Sequence, residues 1–224
     1  MLIEPTPMPP VPTSTTSPST SGGGCGACGK TYPLFAEYER RRQLPSDITD
    51  HLPVLNAWAR GWLRRNTGKG PYILELGVRS GNSTAAFLAG LETHGYGQLW
   101  SVDINVPDVP DVFYECDHWN FLKADSTSFR ARDWVPAELE VLFDDASHEY
   151  GKTLDELRLW VPRVRPGGVV LMHDTEWLPP ASAGNSPKIT PVGEALDDYC
   201  AETGLSWVNV RGCYGLGIMR IPAL

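Results

Sequence analysis

The chain has 224 residues, 42% of them hydrophobic and 21% charged, enough to bury one substantial core. A formal charge of −8 excludes the concentrated cationic field that a phosphate backbone demands, so no nucleic-acid partner is expected. No run approaches the roughly 18 consecutive apolar residues of a spanning helix, and the N-terminus lacks the features of a secretory signal, so no membrane association and a cytoplasmic location are expected.

In chain order, residues 1–30 are rich in Pro, Ser, Thr and Gly, with almost nothing to bury, and read as a disordered tail. The tail ends in a Cys25-x-x-Cys28 knuckle, which reads as a flexible thiol pair because no second pair follows, or as half of a structural metal site completed by His51, Cys116 or a neighbouring subunit. With five cysteines in all, an odd number, no disulfide framework is expected. Residues 31–224 read as one domain. A first helix spans Leu34–Arg42, with Arg40–Arg42 as a solvated face. A second opens at Ser46 or Asp47 as N-cap, before Ile48, Leu52, Leu55 and Trp58.

The apolar run Tyr72–Leu76, bounded by Gly70 and Gly77, predicts a buried parallel strand, and Thr84–Leu91 a helix. Leu99–Ile104 and Leu139–Phe143 predict further strands, Lys152–Val164 a helix, and Val169–Met172 a strand after a Gly-Gly turn. Gly193–Thr203 reads as a helix, and Leu205–Val210 with Gly215–Ile221 as an antiparallel hairpin. Strands alternating with helices predict an α/β fold: a Rossmann-like, doubly wound, mostly parallel sheet closed by the C-terminal hairpin.

Ligands of such sheets sit at the carboxyl ends of the strands, so the loops there carry the candidate chemistry. The first loop is Glu75-Leu-Gly77-Val-Arg79-Ser-Gly81-Asn82-Ser83-Thr84; its glycines are four apart, which matches neither a dinucleotide fingerprint nor a phosphate loop. Asp103, at the end of the next strand, can accept both hydroxyl protons of a ribose. Asp125, before Ser126, suits either an exocyclic amine or a helix N-cap. At the ends of the strands Leu139–Phe143 and Val169–Met172 come Phe143-Asp144-Asp145-Ala-Ser-His148-Glu-Tyr150 and His173-Asp174-Thr175. Asp145, His173 and Asp174 are donors of the kind that hold a divalent ion, or else His-Asp pairs that tie loops together.

The glycine loop, Asp103 and Asp125, in that order and at those intervals, resemble the class I S-adenosylmethionine-dependent methyltransferases over residues 46–220. Asp145-x-x-His148-x-Tyr150, a helix, Pro166-Gly-Gly and His173-Asp174-Thr175 resemble a bacterial subgroup that includes macrolide-sugar O-methyltransferases and cephalosporin-hydroxylase-like proteins. The resemblance implies that Glu75, Gly77, Arg79, Gly81, Asn82, Ser83, Asp103, Ile104, Asp125, Ser126 and Asp144 bind S-adenosylmethionine. It further implies that Asp145, His173 and Asp174 hold Mg2+, although His173 stands where the sugar enzymes carry an acid, and that His148, with Asp145, does the proton chemistry on a small hydroxylated acceptor. His51 is a pocket-lining, buried or capping histidine, and Trp177 is either a stacking ring in a lid over 177–191 or a tryptophan of a surface loop that packs back on the core. A hydroxylase-like enzyme and a non-catalytic cofactor-binding module are the alternative functions, and a homo-oligomer is compatible with the sequence.

Overall fold

The computed structural model describes residues 31–61, 70–93, 95–178 and 190–223. The expected tail 1–30, with Cys25 and Cys28, and most of the expected lid lie outside the described residues. Helix α1 (Pro33–Arg41) precedes a 3-10 turn, Thr49–His51, that runs into α2 (Leu52–Gly61). The alternating unit follows as β1 (Tyr72–Leu76), α3 (Asn82–Glu92), β2 (Gln98–Asp103), α4 (Asp111–Tyr114), β3 (Trp119–Lys123), α5 (Phe129–Trp134) and β4 (Leu139–Asp144). The chain closes with α6 (Tyr150–Trp160), β5 (Val164–His173), α7 (Pro191–Thr203), β6 (Trp207–Val210) and β7 (Leu216–Arg220).

The seven strands lie in the order β3-β2-β1-β4-β5-β7-β6. The first five are mutually parallel, and β7 pairs antiparallel with both β5 and β6, as the hairpin reading expects. Because side chains alternate across a strand, each strand feeds two cores. Ile73, Leu99, Phe143 and Leu171 face α1–α3, whereas Leu74, Val102, Leu142 and Val170 face α5–α7. The same period sends Glu75 toward α3, where it meets Ser83 and Thr84. The chain reverses its winding between β1 and β4, so the crevice at their carboxyl ends is where a ligand fits.

Three elements differ from expectation. The helix expected through Val164 stops at Trp160, because Pro162 has no N–H to continue it; a 3-10 turn, Val161–Arg163, follows. Val164 already pairs with Leu139, and the expected Gly-Gly turn is a bulge inside β5: a Cβ on Gly168 would sit 2.5 Å from Val164 Cγ1. The second helix begins only at Leu52. Ser46 Oγ accepts the Ile48 N–H at 3.4 Å, but Asp47 caps nothing and is drawn to Arg79.

Candidate active site

Each strand end holds its loop by side-chain acceptors. Gly77 leaves β1 with φ +84°, and a Cβ there would lie 2.3 Å from the Asp145 carbonyl oxygen, so β1 and β4 can approach only because this residue has none. Gly81 (φ +75°) opens α3; a Cβ there would meet Val109 and Phe113, so protein atoms fill the space that a ligand was expected to take. Asp103 Oδ2 accepts the N–H groups of Val78 (2.8 Å) and Arg79 (3.1 Å), and Oδ1 accepts that of Asn105 (2.8 Å). This carboxylate thereby sets the shape of the glycine loop while lining the crevice.

Arg41 corrects the reading of the basic cluster. Arg40 and Arg42 pair with Glu37 and Glu39 on the surface, but Arg41 is buried and donates to Ser80 O (2.6 Å) and Asn82 Oδ1 (2.7 Å). It clamps the far side of the loop, with its guanidinium over the Phe113 ring. In the sequence it looked like its neighbours, because nothing local marks it as buried.

A cavity of about 620 Å3 runs along the strand ends, lined among others by Gly77, Asp103, Ile104, Asp125, Ser126 and His148. A recess of about 380 Å3, shared between Ser46, Asp47, Arg79, Asn82, Ser83 and Asp145, continues it on the other side of the glycine loop. Of the expected cofactor set, Glu75, Gly81 and Asp144 line neither. Glu75 is wholly buried and accepts hydrogen bonds from the hydroxyls of Ser83, Thr84 and Ser101. Burial pushes its carboxyl up to about 7 against the pull of those donors. Asp125 is an exposed turn acid whose Oδ1 accepts from Thr127 N (2.8 Å) and pairs with Lys152 (2.5 Å). Lys152 holds it down at about 2, and the N-cap of α5 is Ser128 instead.

The proton-bearing groups gather at the ends of β4 and β5. His148 Nε2 lies 2.7 Å from Asp174 Oδ2 and 3.9 Å from Asp145 Oδ1. His173 Nδ1 lies 3.4 Å from Asp145 Oδ1 and 3.2 Å from Asp174 Oδ2, in ion-pair range yet with no aligned hydrogen bond. The two carboxylates hold His148 up at about 10; for His173 burial works the other way, but the same acids prevail and also bring it to about 10. The imidazoles overcome burial to keep Asp174 well below the usual carboxylate range. Donor atoms of Asp145, His148 and Asp174 lie within 4.8 Å of one another, so His148 stands beside the same two acids that His173 approaches. His173 sits behind it, 2% exposed. His51 is buried, its ring 5.5 Å from that of His173 and away from both cavities; burial, then His173, lowers its pKa. The Trp177 ring lies 4.9 Å from that of His148.

The strand order, with five parallel strands and the antiparallel C-terminal hairpin, is that of the class I methyltransferase fold. Residues 74–175 match the family described as a methyltransferase domain, so the chain carries a methyltransferase domain over that part of its length. No curated protein matches the chain. Among solved structures it is similar to the O-methyltransferase NovP, at 17% identity over 78% of this chain and 80% of that one, with a TM-score of 0.60. A Podospora anserina methyltransferase bound to S-adenosylhomocysteine is 15% identical over 90% of each chain, with a TM-score of 0.57. MycE from the mycinamycin pathway, in complex with Mg and S-adenosylhomocysteine, is 18% identical over 87% of this chain and 56% of its own, with a TM-score of 0.59.

Proposed function

We propose that the chain transfers the methyl group of S-adenosylmethionine to a hydroxyl oxygen of a small molecule, with a divalent ion at the Asp145–Asp174 end of the crevice. The observation that carries this reading is the continuity of the cavity past three distinct chemistries: the Asp103 carboxylate, the glycine loop, and the His148 cluster. Its volume of about 620 Å3 lies within the ordinary range for a small-molecule site.

Asp103 accepts the ribose hydroxyls with lone pairs left over from its three backbone bonds. Arg79, Asn82 and Ser83 face the adjoining recess, on the side where the amino-acid portion fits. The bound cofactor supplies an electrophilic sulfonium methyl. Asp145 and Asp174, with an imidazole completing the set, fit a divalent ion: His173 Nδ1 is buried, aimed at both carboxylates and bonded to neither. Such an ion lowers the pKa of a nearby hydroxyl. His148 is the base: with its own proton first released to solvent, as a cation on Asp145 and Asp174 would favour, its Nε2 takes the acceptor's proton. The hydroxylase-like and non-catalytic alternatives gain no support from the methyltransferase-domain match. The domain is proposed to span 31–224 and to act on a small hydroxylated acceptor.

Titration calorimetry of S-adenosylhomocysteine into the wild type and Asp103→Ala, with and without Mg2+, tests the reading. Saturable binding, weakened at least about tenfold in the variant, is expected, since two or more charge-assisted hydrogen bonds are lost. Absence of binding by the wild type in both conditions would sink it.

A further inference from the structure

Helix α1 reaches the glycine loop through a single buried side chain. The helix is pinned along α3 at both ends: Glu92, closing α3, accepts the N–H groups of Leu34 (3.2 Å) and Phe35 (2.9 Å), and Arg41 meets the first residue of α3. Arg41 is 7% exposed and lines neither the cavity nor the recess. Its charge is matched by Glu37, whose Oε1 accepts from Nε at 2.7 Å. Both hydrogens of Nη1 are spent on the loop, at Ser80 O and Asn82 Oδ1, so one nitrogen staples the chain across the left-handed turn at Gly81.

A guanidinium only donates, so the Asn82 atom that faces it is the carbonyl oxygen. Turning the amide over would set its NH2 against Nη1, two donors with no acceptor between them, and would cost a charge-assisted hydrogen bond. The lock directs Asn82 Nδ2 away from Arg41. That atom has no hydrogen-bond partner among the described residues and stays open to solvent, on a residue that lines the recess. Its neighbours there are engaged: Ser83 gives its one hydroxyl proton to Glu75 Oε1 (2.6 Å), and Arg79 Nη1 is held by Asp47 (2.5 Å). Asn82 is the uncommitted side-chain donor of the three. Asp47 and Asp145, on the same recess, suit an ammonium, so the recess matches a zwitterionic amino acid whose carboxylate falls to the amide.

Given the cofactor reading above, on which this rests, we propose that Arg41 is a positioning residue of cofactor binding: by holding Asn82 Oδ1 it keeps the amide NH2 aimed into the recess, as donor to the carboxylate of the cofactor's amino-acid end. Arg41 touches no ligand and acts only through Asn82. Lysine does not reproduce it, because a lone ammonium lacks the fixed fork that serves Glu37 and both loop acceptors at once.

The test compares S-adenosylhomocysteine with methylthioadenosine, which lacks the amino-acid end, by calorimetry on wild type, Asn82→Asp and Arg41→Met. Asn82→Asp keeps an acceptor for Arg41 but turns an oxygen to the recess. Its melt without ligand should match or exceed that of wild type, while S-adenosylhomocysteine binds about 10- to 150-fold more weakly, the range for a hydrogen bond to a charged group. Arg41→Met, in which Glu37 keeps Arg40, frees the amide to turn; S-adenosylhomocysteine should weaken about three- to tenfold, the cost of ordering one side chain. Methylthioadenosine should hold within about twofold in both variants, and on an Asn82→Ala background Arg41→Met should cost less than about twofold more. Arg41→Lys carries the same comparison if the methionine variant does not fold. Equal weakening of both ligands by the Arg41 variants makes Arg41 a structural clamp alone and overturns the inference, as does wild-type affinity for S-adenosylhomocysteine in Asn82→Asp. Binding of neither ligand by the wild type instead overturns the cofactor reading itself, and this inference with it.

Discussion

Asp103 and Asp145 were legible as lining the crevice because each stands at the end of an apolar strand, and a strand end in a parallel sheet has one address. Glu75 was read as a ligand-facing member of the same loop, yet the two-residue period of β1 turns it inward onto the hydroxyls of Ser83, Thr84 and Ser101. That burial makes it a pH-sensitive element of stability. Its carboxyl titrates at about 7 in the fold against an ordinary 4.5. Because the folded value is the higher one, its contribution is fully present below the ordinary value and is lost as pH rises through about 7. The difference amounts to about 3 kcal/mol. Urea unfolding of wild type and Glu75→Gln at pH 5 and pH 8 should show the wild type losing about 2–3 kcal/mol relative to the variant at the higher pH. A gap that is the same at both pH values would mean that the Glu75 carboxyl is already ionised at pH 5.

The other strands and the long helices were readable to within a few residues because their apolar patterns repeat, whereas β3, only partly buried, was not read as a strand, and α4 and α5, of four and six residues, are too short to establish a period. The pairing of helices was not readable at all, since it depends on shapes that meet from distant parts of the chain. Gly90 in α3 illustrates this: a Cβ there would lie 2.5 Å from the Ala59 Cβ and 3.3 Å from the Asn56 carbonyl oxygen, on α2. On propensity alone, Gly90→Ala should stabilise the helix by about 1 kcal/mol. The contact reverses the sign, and a net loss of about 1–2 kcal/mol is expected as α2 is pushed off α3, the ordinary cost of overpacking. Denaturant midpoints would show it; a variant more stable than wild type would mean that the two helices slide apart freely. Displacement of α2 also reaches the site, because the buried His51 directly precedes that helix and packs on His173.

For the whole molecule, the crevice crosses the line where the two windings of the sheet diverge, so a ligand there bridges β1, β2, β4 and α6 at once. S-adenosylhomocysteine at a hundredfold excess over its Kd is expected to add about 2.7 kcal/mol, which raises Tm by about 5–10 °C for a chain of this size. Asp103→Ala at the same concentration should show at most about half that rise, since a tenfold weaker site adds about 1.4 kcal/mol; an equal rise in the variant would place the ligand elsewhere. The sequence by itself determined the alternation of strand and helix, the closing hairpin and the strand-end loops that carry polar residues, because those follow from periodicity and chain order. The tertiary structure alone decided which polar residues are buried, paired or open to the cavity. Arg41 became a clamp on the glycine loop, Lys152 was drawn to the rim by Asp125, and Glu156 was buried with one oxygen unpartnered. Burial and pairing are set by atoms brought in from remote segments, and the cost of desolvating a charge depends on those atoms and on nothing in the residue's own neighbourhood along the chain.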